Sequence, residues 1–423
     1  MLHLQKNVVY SFSLSRLLSA QRVYLGSMKK LQLLFLITIL ALAFSLLLSC
    51  SEKDENSSSS GSGTSSNTVS GYVQKGPFIQ GTVITVWELD SNLVQTGQAF
   101  IGTIDDNTGT FNARGNVVSP YVELSAVGYY FNEVSGSLST APLTLQALSD
   151  LSDNSSVNVN LMTHLEKKRV EYLIDAGSTF TTAKSQAQTE IMKIFNIENV
   201  SLGSSETLDI SKSGAGNAVL LAISALLQSD KTEAELTELL STINTDIRND
   251  GTLDSTTTKA TLVTAMEYIK TRHIANTSIR TNIESRYSNL GVSVTIPAFE
   301  SYAYKLDTTA PTVDNSSPSD SDTGVTQSFN TSVTFSEIMD KTTISINTSD
   351  TSCSSGTFQF SADNFDTCLK NTGVTFTASN SDKTFTATIL FANSTTYKFR
   401  ITSGATDLAG NSVSMSAISF TTQ

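Results

Sequence analysis

The period of the hydrophobic residues changes twice along this chain of 423 residues. Between residues 69 and 131, apolar and polar residues alternate in short runs separated by glycines, as in β-strands. Between about 143 and 290, apolar residues recur every three or four positions, as on one helix face. From residue 307 onward the alternation returns. A chain of this length has room for two to four domains. The pattern therefore predicts a multidomain protein with an N-terminal β-sandwich, a central α-helical domain and a C-terminal antiparallel β-sandwich.

The first β-rich segment is predicted over residues 69–142. Strand-like runs begin at Val69 and Thr82, and the acidic, Gly-containing segment 105–109 is a turn signal ahead of Phe111. The layout G-x-V…G…V-x-V…G-x-F resembles the carboxypeptidase regulatory-like and collagen-adhesin B-type β-sandwiches. That resemblance implies a spacer or accessory module and not a catalyst. The sole tryptophan, Trp87, is expected in the core.

The central segment, residues 143–300, is predicted to be a domain of five or six helices. Thr232 and Glu235 form a capping-box pattern, in which each side chain satisfies the exposed backbone N–H of the other residue. Gly251 is placed to end the helix that follows. Segments 161–176, 217–228 and 260–273 supply further helices, and 217–228 is apolar nearly all round, as expected for a central helix. Two apolar stripes mark faces toward a core: Ala183, Ala187, Ile191 and Phe195, and then Leu236, Leu239, Leu240, Ile243 and Ile247.

The C-terminal segment, residues 307–423, alternates along several short strands, for example at Phe385, Ala387 and Ile389. It contains the motifs Asp307-Thr-Thr-Ala-Pro311, Val333-Thr-Phe335-Ser-Glu-Ile-Met339-Asp340, Thr396-Tyr-Lys-Phe399 and Asp407-Leu-Ala-Gly-Asn411. These motifs resemble the bacterial Ig-like domain of S-layer and other surface proteins. The resemblance implies an elongated extracellular module used for stacking, spacing or adhesion. It departs from the family in an insertion at residues 347–370.

The N-terminal 49 residues are predicted to be a signal peptide. Met28 is followed by two lysines and then by an apolar run over residues 31–48, which suits a secretory signal with its true start at Met28. The run ends in Leu47-Leu48-Ser49-Cys50, which resembles the bacterial lipobox. That resemblance implies a diacylglycerol on the Cys50 thiol and, after cleavage, an acyl chain on its amine. The alternative is an uncleaved transmembrane helix, since 18 residues are just long enough to span a bilayer.

Residues 50–68 are rich in Ser, Gly and Asn and are predicted to form a flexible tether between the lipid and the folded part. Without the five cations of the signal, 22 of the 27 Lys and Arg remain against 39 Asp and Glu. This excess of negative charge disfavours nucleic acid as a partner, because its phosphates are bound through cationic patches. The expected partners are the lipid bilayer, through the anchor, and a host or envelope protein or glycan. The expected location is the outer membrane, with its surface and periplasmic faces both open.

Cys353 and Cys368 remain as an even pair once Cys50 is set aside. Outside the cytoplasm they are expected to form a disulfide that closes a loop of about 15 residues. The alternative is two separate buried thiols.

The sequence contains no pattern that predicts a catalytic or metal site. His164 lies outside any H-E-x-x-H motif because position 168 is Lys, and His273 follows an expected helix end. The stretch 246–251 resembles a calcium loop only partly, because Arg248 takes a ligand position. Residues 105–107 are expected to form a hairpin turn, and residues 214–216 a helix start. No cofactor is expected beyond the lipid at Cys50.

Three consecutive aromatic residues, Tyr129, Tyr130 and Phe131, are the binding candidates. On a strand at least one of them faces away from the others, and an exposed ring would suit a protein or glycan partner. Packing in a core or between domains is the alternative for the same residues.

The hypothesis that follows is a membrane-anchored, non-enzymatic envelope lipoprotein, exposed at the surface, that acts as an adhesion, binding or spacer module. The alternative is a periplasm-facing lipoprotein whose helical domain binds a small ligand or envelope component, and an apolar cleft beside the first β-region would favour it. A hydrolase would need Ser, Lys and an acidic group converging in a cleft.

Overall fold

The computed structural model describes residues 67–152, 156–274, 277–348, 351–415 and 417–423. The predicted signal peptide, the lipidation site Cys50 and nearly all of the tether lie outside these ranges. The first strand begins at Asn67, so the last two residues assigned to the tether belong to a strand. Within the ranges given, no helix has both the length and the apolar character needed to cross a membrane.

The N-terminal β-region is one curled sheet with seven strands in the order β8-β5-β2-β3-β4-β1-β9. All neighbours are antiparallel except β1 and β9, which pair in parallel. Strand β9 also lies against β5, near the opposite edge, so the sheet rolls up on itself. A small hairpin, β6–β7, is separate. The strands are β1 (Asn67–Gln74), β2 (Val83–Leu89), β3 (Gln95–Ile104), β4 (Thr110–Gly115), β5 (Tyr121–Gly128), β6 (Phe131–Asn132), β7 (Ser137–Leu138), β8 (Leu143–Asp150) and β9 (Val159–Asn160).

The central segment contains seven α-helices within the described ranges. They are α1 (Leu161–Asp175), α2 (Phe180–Ile194), α3 (Ala215–Gln228), α4 (Glu233–Asp246), α5 (Thr256–Ile269), α6 (Ser278–Asn289) and α7 (Glu300–Ala303), with a 3-10 turn at Ser205–Thr207 and a π-helical segment at Lys270–Ile274. Helix α3 is buried nearly all round, as its composition predicts. The capping box at Thr232 and Glu235 is confirmed at the start of α4. Both predicted apolar stripes are buried. Helix α4 ends at Asp246, before Gly251.

The sheet and the helices share one hydrophobic core, which runs from Val69 in β1 to Tyr304 after α7. The predicted order of an N-terminal β-rich region followed by a helical region is confirmed. The β-region is one curled sheet covered by helices. Residues 143–150 form strand β8 of this sheet, beyond the predicted boundary at residue 142, and β8 contacts the helices. We call residues 67–306 the α+β domain. Trp87 is only half-buried.

The C-terminal region is a sandwich of two four-stranded sheets, β10-β12-β15-β14 and β11-β17-β16-β13, as predicted. The strands of the two sheets pair antiparallel, except that β11 and β17 pair in parallel. A phenylalanine-rich core, including Phe335, Phe360 and Phe399, fills the space between the sheets. The strands are β10 (Val313–Ser317), β11 (Thr323–Val325), β12 (Ser328–Phe335), β13 (Phe358–Ser361), β14 (Thr377–Ser379), β15 (Thr384–Leu390), β16 (Thr396–Ile401) and β17 (Ile418–Thr422).

The insertion at residues 347–370 contains strand β13, which lies at the edge of the second sheet beside β16, and a disulfide closes it. Cys353 and Cys368 are bonded, with their Cα atoms 5.1 Å apart, so the predicted pairing is confirmed over the alternative of two free thiols. Cys368 is buried, and its N–H donates to the carbonyl of Thr351 at 2.8 Å. The disulfide therefore joins the segments on either side of β13, the one short strand of the insertion that packs in the core.

Candidate functional site

The aromatic triplet is split by the fold. Tyr129 is 44% exposed, whereas Tyr130 and Phe131 are buried. The Tyr130 hydroxyl donates to Gln228 Oε1 of α3 at 2.7 Å, and its ring stacks on Phe78 with centroids 5.7 Å apart. Of the three binding candidates, only Tyr129 presents a ring to a partner.

Lys75 and Glu133 form an ion pair in the core, with Nζ 2.5 Å from Oε1 and both side chains fully buried. Ser224 Oγ of α3 lies 2.7 Å from the same Glu133 oxygen and 2.9 Å from the Lys75 carbonyl. The Lys75 ammonium also lies over the Tyr130 ring, 5.6 Å from its centroid. Burial lowers the pKa of Lys75, while Glu133 opposes that shift.

This cluster brings a Ser, a Lys and an acidic group together, which is the arrangement a hydrolase would need. The three side chains are inaccessible to solvent, however, and not placed at a cleft. Ser224 donates to the Glu133 carboxylate and to the Lys75 carbonyl, and in this buried position its oxygen is out of reach of a substrate. The cluster connects β1, the β6–β7 hairpin and α3. Its role in this geometry is to hold the central helix on the sheet.

The two histidines lie apart from any such cluster. Burial lowers the pKa of His164 to about 4, with Lys167 and Lys168 adding to the shift, so the ring is neutral at pH 7. His273 Nδ1 shares a hydrogen bond with Ser278 Oγ at 2.9 Å. Neither histidine belongs to a set of groups close enough to bind a metal among the described residues.

The acidic residues of segments 246–251 and 105–107 accept local hydrogen bonds. Asp246 accepts from the Ser255 N–H, and Asp250 from the Thr252 N–H, each at 2.9 Å. Asp106 accepts from the Thr108 N–H at 2.8 Å inside the predicted hairpin turn. These carboxylates cap turns.

A second charged cluster, missed by the sequence analysis, joins the C-terminal sandwich to the α+β domain. We call it the junction cluster; it comprises Lys270, Asp307, Glu337 and Asp407. Lys270 Nζ, in the π-helical segment, lies 2.5 Å from Glu337 Oε2 and also donates to Asp307 Oδ2. The Lys270 side chain is only 12% exposed, and Asp307 and Glu337 are similarly shielded. The cluster is therefore a nearly buried ion network between two domains.

Backbone groups hold the third carboxylate of the junction cluster in place. Asp407 accepts from the N–H groups of Gly410 and Asn411 at 2.7 and 2.8 Å. Asn411 Nδ2 donates to the Asp307 carbonyl at 3.1 Å, and Lys305 Nζ to the Ala409 carbonyl at 3.0 Å. These contacts explain why the Asp307 and Asp407–Asn411 motifs lie together at one end of the sandwich.

The charges of the junction cluster shift its pKa values in opposite directions. Burial raises the pKa of Glu337, and the nearby Asp307 and Asp407 add to the rise against the effect of Lys270. Burial alone would raise the pKa of Asp307, but hydrogen bonds from Lys270 and from the Thr309 N–H hold it below its ordinary value. Lys270 in turn stays protonated, because its pKa is raised by the two carboxylates more than burial lowers it.

Carboxylate oxygens of Asp307, Glu337 and Asp407 lie within 4.8 Å of one another, close enough to share a cation. The Lys270 ammonium already neutralises two of them. The sequence-based expectation of no metal site stays a prediction. The junction cluster fixes the sandwich to the α+β domain, and Leu408 and Ala409 extend the contact by packing against the α+β core.

Comparison with known proteins bears on the sandwich. No curated protein matches the chain. Among the solved structures that align with 62% of it is "Structure of surface layer protein SbsC, domains 1-6", with 19% sequence identity, 32% of that chain covered and a TM-score of 0.19. Another is "Crystal structure of the N-terminal part of the bacterial S-layer protein SbsC", with 15% sequence identity, 78% of that chain covered and a TM-score of 0.20. This chain thus spans about a third of the first, and these TM-scores are too low to indicate a common fold. Residues 307–422 match the family model of the bacterial Ig-like domain, and they form a domain of that family.

Proposed function

We propose that the protein is a non-enzymatic lipoprotein of the cell envelope, anchored to the outer membrane through lipid on Cys50 and exposed at the surface. Its Ig-like domain acts as an adhesion, binding or spacer module. The observation that carries this proposal is the Ig-like domain at residues 307–422, fixed by buried charges to a second folded domain. The lipobox-like residues 47–50 and the Ser-rich segment after them support the anchor.

The junction cluster supports a presenting role over an independent, freely jointed domain. A linker between freely moving domains is exposed and rich in Gly, Pro or polar residues. Here the linker residue Asp307 is instead buried in an ion network with Lys270. A rigid connection of this kind keeps the Ig-like domain at a constant orientation on the α+β domain.

Fatty-acid labelling tests the anchor. Cells expressing the full chain are fed radiolabelled palmitate, and the protein is immunoprecipitated. We expect label in the wild type and in Ser51→Ala, a matched neighbour substitution, and none in Cys50→Ala, because lipid joins the Cys thiol. Two or three acyl chains hold a protein on a bilayer, so Cys50→Ala is also expected in the soluble fraction. A labelled, membrane-bound Cys50→Ala would refute the anchor.

Protease shaving of intact cells tests the surface location separately. We expect the Ig-like domain to be digested in intact cells, while a periplasmic control protein survives. Digestion only after the outer membrane is permeabilised would contradict a surface adhesin and would favour the periplasmic face. The two experiments are independent, since a lipoprotein can face either side.

The alternative function, small-ligand binding beside the helices, is favoured by one observation. A cleft of about 490 Å³ lies between β8, α2 and the 3-10 turn at Ser205–Thr207. Its size is in the range of ligand sites. Its lining is rich in hydroxyl and charged groups, whereas an apolar cleft was expected for the binding of a small ligand or envelope component.

A further inference from the structure

The cleft between β8, α2 and the 3-10 turn has a rigid polar floor. Lys184 Nζ lies 2.5 Å from Glu166 Oε2 and 2.7 Å from Glu206 Oε1. Ser205 Oγ donates to the other Glu166 oxygen, and Gln188 Nε2 donates to Ser205 Oγ at 2.8 Å. These groups lock one another's rotamers, so the floor is organised before any ligand arrives.

The floor is not suited to catalysis by a lysine base. Burial alone would lower the pKa of Lys184, but Glu166 and Glu206 raise it above its ordinary value, so the group stays an ammonium. An ammonium donates hydrogen bonds and accepts none. The floor therefore offers fixed donors and carboxylate acceptors, which suits recognition of hydroxyl groups.

One wall of the cleft carries a serine hydroxyl. Ser149 of β8 is 6% exposed and lines the cleft. Its backbone pairs with Val122 of β5, which fixes the position of the side chain at the cleft. A serine hydroxyl can both donate and accept a hydrogen bond when a ligand supplies the partner. The exposed hydroxyls of Thr181 and Ser185 lie on the α2 side of the same cleft.

The other wall is aromatic. Phe180 is the first residue of α2, half-exposed at the cleft, and its ring packs against Tyr121 with centroids 5.3 Å apart. Tyr121 fixes the plane of the Phe180 ring. A fixed aromatic face binds flat apolar surfaces, such as the C–H face of a pyranose ring.

Charge decides the ligand class. Two acidic residues, Asp150 and Glu206, line the cleft against the single cation Lys184, so the cleft disfavours anions. Its hydroxyl-rich lining disfavours a purely apolar ligand, which would leave those groups unpaired. A neutral polyhydroxylated ring satisfies both conditions, with hydroxyls toward the floor and one face on Phe180.

We propose that this cleft binds a neutral saccharide, with Ser149 and the Lys184–Glu206 pair recognising its hydroxyls and Phe180 supporting its apolar face. This inference rests on the ligand-binding alternative and is independent of the lipid anchor. Failure of saccharide binding would leave the palmitate and shaving results unaffected.

The test is calorimetric titration of the full mature chain in a detergent without a sugar headgroup. The probes are cellobiose, maltose and chitobiose, together with cellobiose carrying one uronic carboxylate. We expect at least one neutral disaccharide to saturate with a Kd of about 1 mM or below, and the uronic analogue to bind more weakly because of the acidic excess.

Variants locate the binding. Ser149→Val removes one hydrogen bond at similar volume and is expected to weaken the saccharide about 5-fold. Phe180→Ala removes the stacking face and is expected to weaken it about 10-fold. Ser241→Ala, in a different groove along α4, is the matched control and should leave Kd unchanged. If Ser149→Val does not fold, as judged by circular dichroism, the exposed Thr181→Val replaces it.

Three results would overturn the proposal. One is that none of the neutral disaccharides saturates the protein. Another is that folded Ser149→Val (or its replacement) and Phe180→Ala bind like the wild type. The third is that the uronic analogue binds as tightly as cellobiose, which would contradict the charge argument.

Discussion

Replacing Lys270 with methionine should loosen the connection between the two domains. Methionine keeps the unbranched chain but removes the ammonium that Asp307 and Glu337 share. The two carboxylates would then face each other and Asp407 in a nearly buried site. Removing one partner from a buried ion pair costs about 3–5 kcal/mol. Because Lys270 and Glu337 retain slight solvent contact, we expect the lower end, about 3 kcal/mol of unfolding free energy.

The matched control is Lys341→Met. Lys341 Nζ lies 3.3 Å from Asp382 Oδ2, and its side chain is 65% exposed. Exposed pairs contribute at most about 1 kcal/mol. Urea unfolding followed by circular dichroism gives the free energies, and the fluorescence of Trp87, the sole tryptophan, reports on the α+β domain.

The unfolding free energies of the wild type and of Lys270→Met should also depend differently on pH. In the wild type the pKa of Asp307 is lowered, so its contribution is present above its unfolded pKa and is lost as pH falls through the folded value. In Lys270→Met both carboxylates should have raised folded pKa values, so the variant gains stability relative to the unfolded chain as pH falls. The difference in unfolding free energy between wild type and Lys270→Met should therefore become smaller as the pH falls toward about 4. Adding Glu337→Gln should recover about 1–2 kcal/mol of the loss.

The reasoning is refuted if Lys270→Met loses less than about 1 kcal/mol or no more than Lys341→Met. It is equally refuted if its deficit grows on acidification, because that would mean that the carboxylates are not held against one another in the folded state.

Further predictions follow from single features. Reduction of the Cys353–Cys368 bond, which closes a 15-residue loop, should lower the stability of the Ig-like domain by about 3 kcal/mol; thermal melts with and without reductant measure it, and identical melts would contradict it. His164, with its pKa lowered to about 4, should make the protein lose stability as pH falls from about 6.5 to 4, and His164→Gln should flatten that part of a stability–pH curve. Thr232→Ala should cost about 1 kcal/mol through loss of the α4 cap, measured by urea unfolding, with no change expected in the slope against urea.

The local pattern of hydrophobic residues predicted the helices and strands that have one apolar face. The stripe from Leu236 to Ile247 and the capping box at Thr232 are set by neighbours three or four positions apart, so a short window contains the whole signal. The Ig-like strands follow for the same reason. The match of residues 307–422 to its family confirms the expectation taken from their motifs.

Long-range pairings were not predictable in the same way. Strand β9 pairs with β1 across more than 80 residues. Strand β8 was assigned to the helical segment because helices follow it closely in the sequence. Such pairings depend on where the chain returns to in space, and local periodicity carries no information about that. For this reason the predicted division at residue 142 lies ahead of β8, which pairs with β5 in the sheet.

The charged clusters were missed for a related reason. Lys75 and Glu133 are 58 residues apart, and Lys270 and Asp307 are 37 apart. A lone Lys or Glu in a sequence normally indicates a solvated position. Only the three-dimensional structure shows that each has a buried partner.

The position of β1 determines how the protein resists a mechanical pull. A force on the chain ahead of Asn67 acts along a strand that is hydrogen-bonded on both sides, antiparallel to β4 and parallel to β9. Strand β9 continues directly into α1, whose first residues are buried. The load would therefore be carried in shear across two ladders and into the helices, and would not peel one hairpin open.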